Sequence, residues 1–421
     1  MYDWANSAYW TTIIAAVFPA YFSAVAAADL PPAIATSRFA WASSIAIALV
    51  AMMSPVLGAI ADYAALKKRM LAVFLTIGVV STAGLWFVDR GDWQLGLWLF
   101  VLGNIGAAGS ITFSDSLLPH IARPDEVDLV SSSGYAIGYL GGGILLLVNT
   151  LWIAKPAWFG MPAGTFAARL SFLSVAVWWL VFAVPIFRRV SEPPATREAG
   201  EAGARNLLLA GFSRLGHTFR ELRLYRQAFL LLVAFAIYND GINTIIRMAS
   251  IFGTEIGLPQ DKLILAFLVV QFVGVPCAFA FGRLASHIGA KRSVLFTLVV
   301  YTGISIFGYF VSTTWHFFLI ALLVGAVQGG SQALSRSLFA AMIPRHKSSE
   351  FFAFFGIFEK FAGILGPLLF AIVAERVGSS RPAIVMVIVF FAVGGYLLTR
   401  VDVEAGQRAA REAEGHTVTR A

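Results

Sequence analysis

The sequence predicts an all-α, polytopic membrane protein with twelve transmembrane helices in two six-helix bundles. Hydrophobic residues make up 58% of its 421 residues and charged residues only 13%, whereas soluble proteins are about 45–50% apolar and about 25% charged. The 31 Lys and Arg and 23 Asp and Glu residues cannot cover the polar surface that soluble domains of this total length need. A water-soluble globular protein is therefore excluded.

Apolar runs define the predicted helices, because a helix needs about 20 apolar residues to cross a hydrocarbon core about 30 Å thick. Twelve segments satisfy this rule, at 4–27, 38–61, 70–88, 93–118, 128–153, 166–187, 227–253, 263–284, 293–312, 316–342, 351–374 and 382–400. The predicted domains are an N-terminal bundle at 1–187, a central loop at 188–226, a C-terminal bundle at 227–400 and a polar tail at 401–421.

The distribution of charge predicts the orientation. Most of the 31 Lys and Arg residues fall in loops on the side of the two termini, so the termini and the central loop are predicted to be cytoplasmic, and the cell (inner) membrane is the predicted location. No signal peptide is apparent, so the first helix is predicted to be retained. Within the central loop, 206–223 has the pattern of an amphipathic surface helix, with a plain linker as the alternative.

Several chemistries lack the residues that they need. Cys277 is the single cysteine, so neither a disulfide framework nor a thiolate metal site is expected. The six histidines never occur as HExxH, and no glycine-rich stretch carries a Walker lysine. The sequence predicts no metal, no cofactor, no nucleic-acid partner and no enzymatic activity. The expected partners are a small solute, the lipid bilayer and, as a candidate coupling ion, the proton.

Two loops repeat one motif. GAIADYAALKK at 58–68 aligns without gaps on GRLASHIGAKR at 282–292, which resembles the signature loop of the major facilitator superfamily. Asp62 can bind basic residues and the N-terminus of a neighbouring helix, so it is predicted to latch the cytoplasmic ends in one state. Ser286 replaces the acid in the second loop, which predicts a weaker latch there, with a plain basic turn as the alternative for either loop. The predicted gating residues are Gly58, Asp62, Lys67, Lys68, Gly282, Lys291 and Arg292.

A finer resemblance begins in the first helix. YDWANSAY at 2–9, SGYAIGYLGG at 133–142, YNDG at 238–241 and QGGSQALSRS at 328–337 are similar to motifs of the vacuole-effluxer-like family of major facilitators. This resemblance implies the major facilitator fold and solute transport by alternating access. Because a fungal autophagy-related member of that family exports amino acids, it also implies an amino acid as substrate. The alternatives are another solute, such as a drug or a sugar, and a polytopic membrane enzyme or scaffold.

Polar side chains inside the predicted helices define the candidate substrate site, because each ionisable group in a membrane usually faces the interior and has a partner. A guanidinium and carboxylates around one cavity would suit a zwitterion, with a structural polar network as the alternative. The predicted substrate-binding residues are Asp3, Asn6, Tyr9, Tyr135, Tyr139, Asp240, Asn243, Arg247, Gln328, Gln332 and Arg336. Asp240, Glu359 and Lys360 are predicted to couple transport to protons, with static interhelical pairs as the alternative.

Overall fold

The fold consists of helices joined by short loops, with no strand among the residues that the structure describes. It is a computed structural model that describes residues 1–194, 225–255, 260–363, 365–377 and 380–418. The N-terminal half contains α1 (Tyr2–Ala26), α2 (Pro32–Ala64), α3 (Lys67–Gly84), α4 (Trp93–Ser116), α5 (Val127–Ala154) and α6 (Phe166–Arg189). The C-terminal half contains α7 (Arg226–Glu255), α8 (Gln260–Ile288), α9 (Ala290–Tyr309), α10 (Thr314–Ala341), α11 in two parts (Ser348–Phe361 and Leu365–Val377) and α12 in two parts (Ser380–Met386 and Ile388–Arg400).

Ten described helices are long and apolar enough to cross a membrane. The two remaining predicted spans correspond to α2 and to the broken α11, which confirms the predicted all-helical membrane fold. α1 contains two π-helical stretches, Tyr9–Ala16 and Phe22–Ala26, which the sequence did not indicate. The predicted central-loop helix at 206–223 lies outside the described residues.

The predicted polar tail, 401–421, contains a helix that the sequence analysis did not identify, α13 (Val403–Val418). It forms because one face finds apolar partners at the ends of α7 and α10: Ala410 is buried, and Gly406 lies against Met342. The Glu414 side chain also accepts a hydrogen bond from the backbone N–H of Arg345, at 2.9 Å. The search for apolar runs did not identify this helix, because its residues are on average polar.

Each half has its own apolar core, and the halves meet at the end of the molecule where α1 begins and α12 ends. We call this end the basic end, for Lys67, Lys68, Lys291 and Arg292. The core of the C-terminal half also includes three residues of the N-terminal half, Leu118, Ala122 and Val127, which lie between the end of α4 and the start of α5. Helices α2 and α11, α5 and α8, and α5 and α10 are the main pairs in contact between the halves.

The two glycines of the repeated motif lie where helices from opposite halves approach most closely. A Cβ on Gly58 of α2 would lie 2.6 Å from the backbone oxygen of Ser349 in α11, and a Cβ on Gly282 of α8 would lie 2.9 Å from the Cβ of Ser132 in α5. Any larger residue would force the backbones apart. The motif thus positions both seams between the halves.

Candidate functional site

Arg336 of α10 lies between the halves and bonds to three helices of the opposite half. Its Nη1 is 2.8 Å from Asp115 Oδ1, and its Nη2 is 3.4 Å from Asp3 Oδ2. Its Nε donates to Ser131 Oγ at 2.9 Å, and Nη2 donates to the Ser131 carbonyl at 3.0 Å. The Tyr135 ring lies under the guanidinium, with its centroid 4.6 Å from Cζ. We call these five residues the Arg336 cluster.

The local sequence builds this cluster by bringing α1 and α5 unusually close. A Cβ on Gly134 would fall inside contact distance of Asp3 Oδ2 and 3.1 Å from Arg336 Nη2, and one on Gly138 would lie 2.7 Å from Ser7 Oγ. The glycines that the sequence places at helical spacing on α5 therefore leave room for the carboxylate of Asp3. Arg336 has only 6% of its side chain exposed, so these charge-assisted bonds form largely out of water.

Gly134→Ala is expected to lower the thermal unfolding midpoint by several degrees, because an added methyl in a filled space typically costs about 1–3 kcal/mol. The matched control is Gly143→Ala on the same helix, where a Cβ would find its nearest neighbour at 3.4 Å. That variant should unfold within about one degree of the parent. Thermal unfolding of both purified variants checks the expectation, and equal midpoints would contradict the close approach at Gly134.

The other predicted carboxylate, Asp240 of α7, is held differently. It is buried, and both of its oxygens accept the backbone N–H of Gly366 at 3.0 Å, at the start of the second part of α11. Asn243 donates to the carbonyl of Ala362 at 3.0 Å, on the other side of the break. This geometry matches a carboxylate that caps a helix N-terminus, so the polar stripe of α7 supports the interruption in α11.

The structure separates the predicted substrate residues into groups. Asp3, Tyr135 and Arg336 meet in one cluster, while Gln332 donates to Asn239 at 2.7 Å, one helical turn before Arg336 on α10. The side chains of Arg247 and Lys360 lie outside the described part of the structure.

The remaining predicted residues occupy the seam or the interior of a half. Tyr139 packs against Gly274 and Gly329 in the seam, and Gln328 of α10 is partly exposed. Glu359 is near enough to interact electrostatically with Asp115 and Tyr135. The other two residues lie inside the N-terminal half, away from the Arg336 cluster: Asn6, which binds Ser110 and Trp10, and Tyr9, whose ring lies 5.4 Å from that of Trp179.

Asp62 makes both types of contact that the motif suggested. Its Oδ1 is 2.7 Å from Lys67 Nζ, and its Oδ2 accepts the backbone N–H of Glu350 at 2.9 Å, in the first turn of α11. Lys67 also donates to Ser348 Oγ at 2.6 Å and lies 3.1 Å from His120 Nε2. Asp62, Lys67, His120, Ser348 and Glu350 form what we call the latch cluster, which joins the halves at the basic end.

The second signature loop makes no such bridge among the contacts described. Ser286 is exposed and donates to the carbonyl of Arg283 in its own helix, and Lys291 donates to Thr399 and Val401 of the same half. Arg292 is exposed. In the first loop, Lys68 likewise stays within its own half, where it caps α6 at the carbonyl of Val190.

Five residues of these clusters had no role assigned from the sequence: Asp115, His120, Ser131, Ser348 and Glu350. Asp115 could have been identified as a site residue from the sequence, because it is an ionisable residue inside a predicted membrane helix. The two serines carried none, because a hydroxyl in a helix usually bonds to its own backbone. His120 was one of six scattered histidines, and only the fold brings it to Lys67.

Comparisons with known proteins agree with this architecture. A family model described as "Vacuole effluxer Atg22 like" matches residues 33–411. The MFS-type transporter YxiO of Bacillus subtilis strain 168 is 36% identical over 406 residues, 96% of this chain and 94% of that protein. Autophagy-related protein 22 of Kluyveromyces lactis is 25% identical over 379 residues, 83% of this chain and 75% of that protein.

The fold also matches a solved transporter. The structure of the MFS proton:xylose symporter XylE superposes with a TM-score of 0.73 at 14% sequence identity, covering 95% of this chain and 93% of that one. At this identity the likeness shows the fold alone. Together with the family match, it confirms the predicted transporter class and rules out the rival membrane enzyme. The chain belongs to the vacuole effluxer Atg22-like family and is a major facilitator transporter of the membrane.

Proposed function

We propose that the protein transports a small zwitterion of the amino-acid class by alternating access coupled to protons. The observation that carries the proposal is the Arg336 cluster, in which one guanidinium of the C-terminal half is shared by two carboxylates of the N-terminal half. A substrate carboxylate can replace one of them, because Arg presents a planar fork of donors to any carboxylate. The substrate ammonium can then bind the carboxylate that has been released.

This exchange of carboxylates would link substrate binding to the separation of the two halves at the basic end. All the polar partners of Arg336 described above belong to the opposite half, so the cluster closes the basic end as long as Asp3 and Asp115 hold the guanidinium. A substrate that competes for Arg336 weakens this closure. It can shift the population toward the state open at the basic end only by its differential affinity for that state.

The orientation and location belong to the same proposal. The basic end carries the clustered Lys and Arg residues of the loops, which favours a cytoplasmic basic end, with both termini on that side of the cell membrane. The family description, a vacuole effluxer, favours export of the substrate from the compartment opposite the basic end. A drug or a sugar remains the alternative substrate.

A ligand series on purified protein tests the substrate class, because a ligand that binds only the folded state raises the unfolding midpoint. Neutral amino acids should stabilise the protein and should drive counterflow in proteoliposomes. Their amides, which lack the carboxylate, and their N-acetyl forms, which lack the ammonium, should do neither. Stabilisation by a sugar or an apolar cation, with no response to amino acids, would refute the zwitterion proposal.

Glu359→Gln is expected to reduce accumulation driven by a pH gradient at least about tenfold and to leave substrate exchange within about twofold. Glu359 interacts with the Arg336 cluster, and a carboxylate inside a membrane bundle can serve as a proton carrier. Asp240 is the second proposed carrier, although its oxygens already bind the backbone. Proteoliposome uptake with and without a gradient measures both quantities.

The control for this variant is Glu404→Gln, whose carboxylate lies on α13 with 87% of its side chain exposed. That substitution should change neither accumulation nor exchange. Transport that is indifferent to the gradient in the parent protein, or accumulation that survives in Glu359→Gln, would remove proton coupling through this residue.

A further inference from the structure

The latch cluster contains an imidazole that the transport scheme above does not use. His120 lies in the short helix Leu118–Ile121, directly after α4. Its Nε2 is 3.1 Å from Lys67 Nζ and 3.3 Å from Ser348 Oγ, and it also hydrogen-bonds to the backbone of Arg345. His120 thus touches α3, α11 and the turn before α11, where the two halves meet.

The donors and acceptors around His120 fix its protonation state in this conformation. The three N–H groups of Lys67 point to Asp62, Ser348 and His120. The hydroxyl proton of Ser348 goes to the carbonyl of Ser116, at 2.8 Å. Nε2 of His120 must therefore accept a hydrogen bond from Lys67, which requires a neutral ring with an unprotonated Nε2.

We propose that His120 is a proton-binding site that releases the latch at the basic end. A proton on Nε2 removes the acceptor for Lys67 and places an imidazolium 3.1 Å from an ammonium. The closed latch and the protonated imidazole therefore exclude each other, so proton binding shifts the population toward the state open at the basic end. This inference rests on the alternating-access scheme, but not on the identity of the substrate.

The charges around the ring support this assignment. Lys67 on α3 and both Arg345 and His346 on the turn before α11 act on His120 as positive or titratable neighbours. The latch cluster contains two acids. Asp62 is bound by Lys67 and by the backbone N–H of Glu350, and Glu350 is itself buried. No carboxylate among these contacts is free to stabilise an imidazolium while the latch is closed.

Distance measurements between two spin labels test the proposal without any substrate. Cys277 is the single cysteine, so Cys277→Ser followed by Arg69→Cys and Arg292→Cys gives one exposed label on each half at the basic end. Between about pH 8 and about pH 5.5, the ratio of closed to open populations should fall at least about tenfold. In the same background, His120→Gln should stay closed over the whole range, because the Gln side-chain oxygen can still accept from Lys67 and never gains a charge.

Two further histidines serve as matched controls. His287→Gln, on the exposed end of α8, and His346→Gln, beside the latch, should both keep the pH response of the parent. A response that persists in His120→Gln, or that disappears only in His346→Gln, would overturn the assignment to His120. The measurement needs no ligand, so its failure is distinguishable from a failure of the zwitterion proposal, which the ligand series reports separately.

Discussion

Arg336→Gln is expected to reduce transport by at least about 100-fold. The substitution leaves the carboxylates of Asp3 and Asp115 close together without their counter-charge, and removal of one partner of a buried ion pair typically costs about 3–5 kcal/mol. Since about 1.4 kcal/mol corresponds to a tenfold change, the closed state at the basic end should lose most of its population. Transport in proteoliposomes and the label distance across the basic end measure the two effects.

Two companion variants separate binding from closure. Arg336→Lys keeps the charge but loses the planar fork, so it should retain more closure than Arg336→Gln while its transport falls about tenfold. The double variant Arg336→Gln with Asp115→Asn removes one orphaned carboxylate, so it should recover thermal stability and closure but not transport. Recovery of transport in the double variant would show that Arg336 serves closure alone.

Asp62→Asn is expected to reduce transport about 10-fold to 100-fold while substrate affinity stays within about twofold. Asp62 and Lys67 are almost completely buried, with 0% and 3% of their side chains exposed. Asparagine can still accept the Glu350 N–H but cannot balance the charge of Lys67, so the closed state weakens. Binding is spared because the latch cluster and the Arg336 cluster are separate groups of residues.

The aligned position of the second loop supplies the control for this variant. Ser286→Ala should change transport less than about twofold, because the Ser286 hydroxyl is exposed and bonds to neighbours in its own helix turn. Equal losses in Asp62→Asn and Ser286→Ala would contradict the asymmetry between the two loops. Uptake rates and thermal-shift affinities of both variants decide the matter.

The fold could be predicted because a helix that crosses the bilayer must be about 20 residues long and mostly apolar, and such segments are visible in the sequence. The break in α11 could not be predicted from the sequence. Gly363 and Gly366 sit at helical spacing and suggest a packed face, whereas the interruption is stabilised by Asp240 and Asn243 of α7. A helix that ends inside the membrane needs partners for its backbone, and the sequence of that helix does not show where they come from.

The site was predictable residue by residue but not as an arrangement. A charged residue inside a membrane usually needs a partner, and this rule identified Asp3 and Arg336 as site residues. They lie 333 positions apart in the chain and meet in the structure. The same reasoning did not pair Arg336 with Asp115 or assign Asp240 to a backbone N–H. Partner choice depends on helix rotation and depth, and these follow from close approaches such as that at Gly134.

The two glycines of the repeated motif lead to a mechanical consequence. The α2–α11 seam is held by charges beside Gly58, whereas the α5–α8 seam beside Gly282 is held by small and apolar side chains in contact. Contacts of the first kind respond to protonation, while dispersion contacts do not. We therefore expect the two halves to rotate about the α5–α8 seam, which stays in contact, while the charged α2–α11 seam separates.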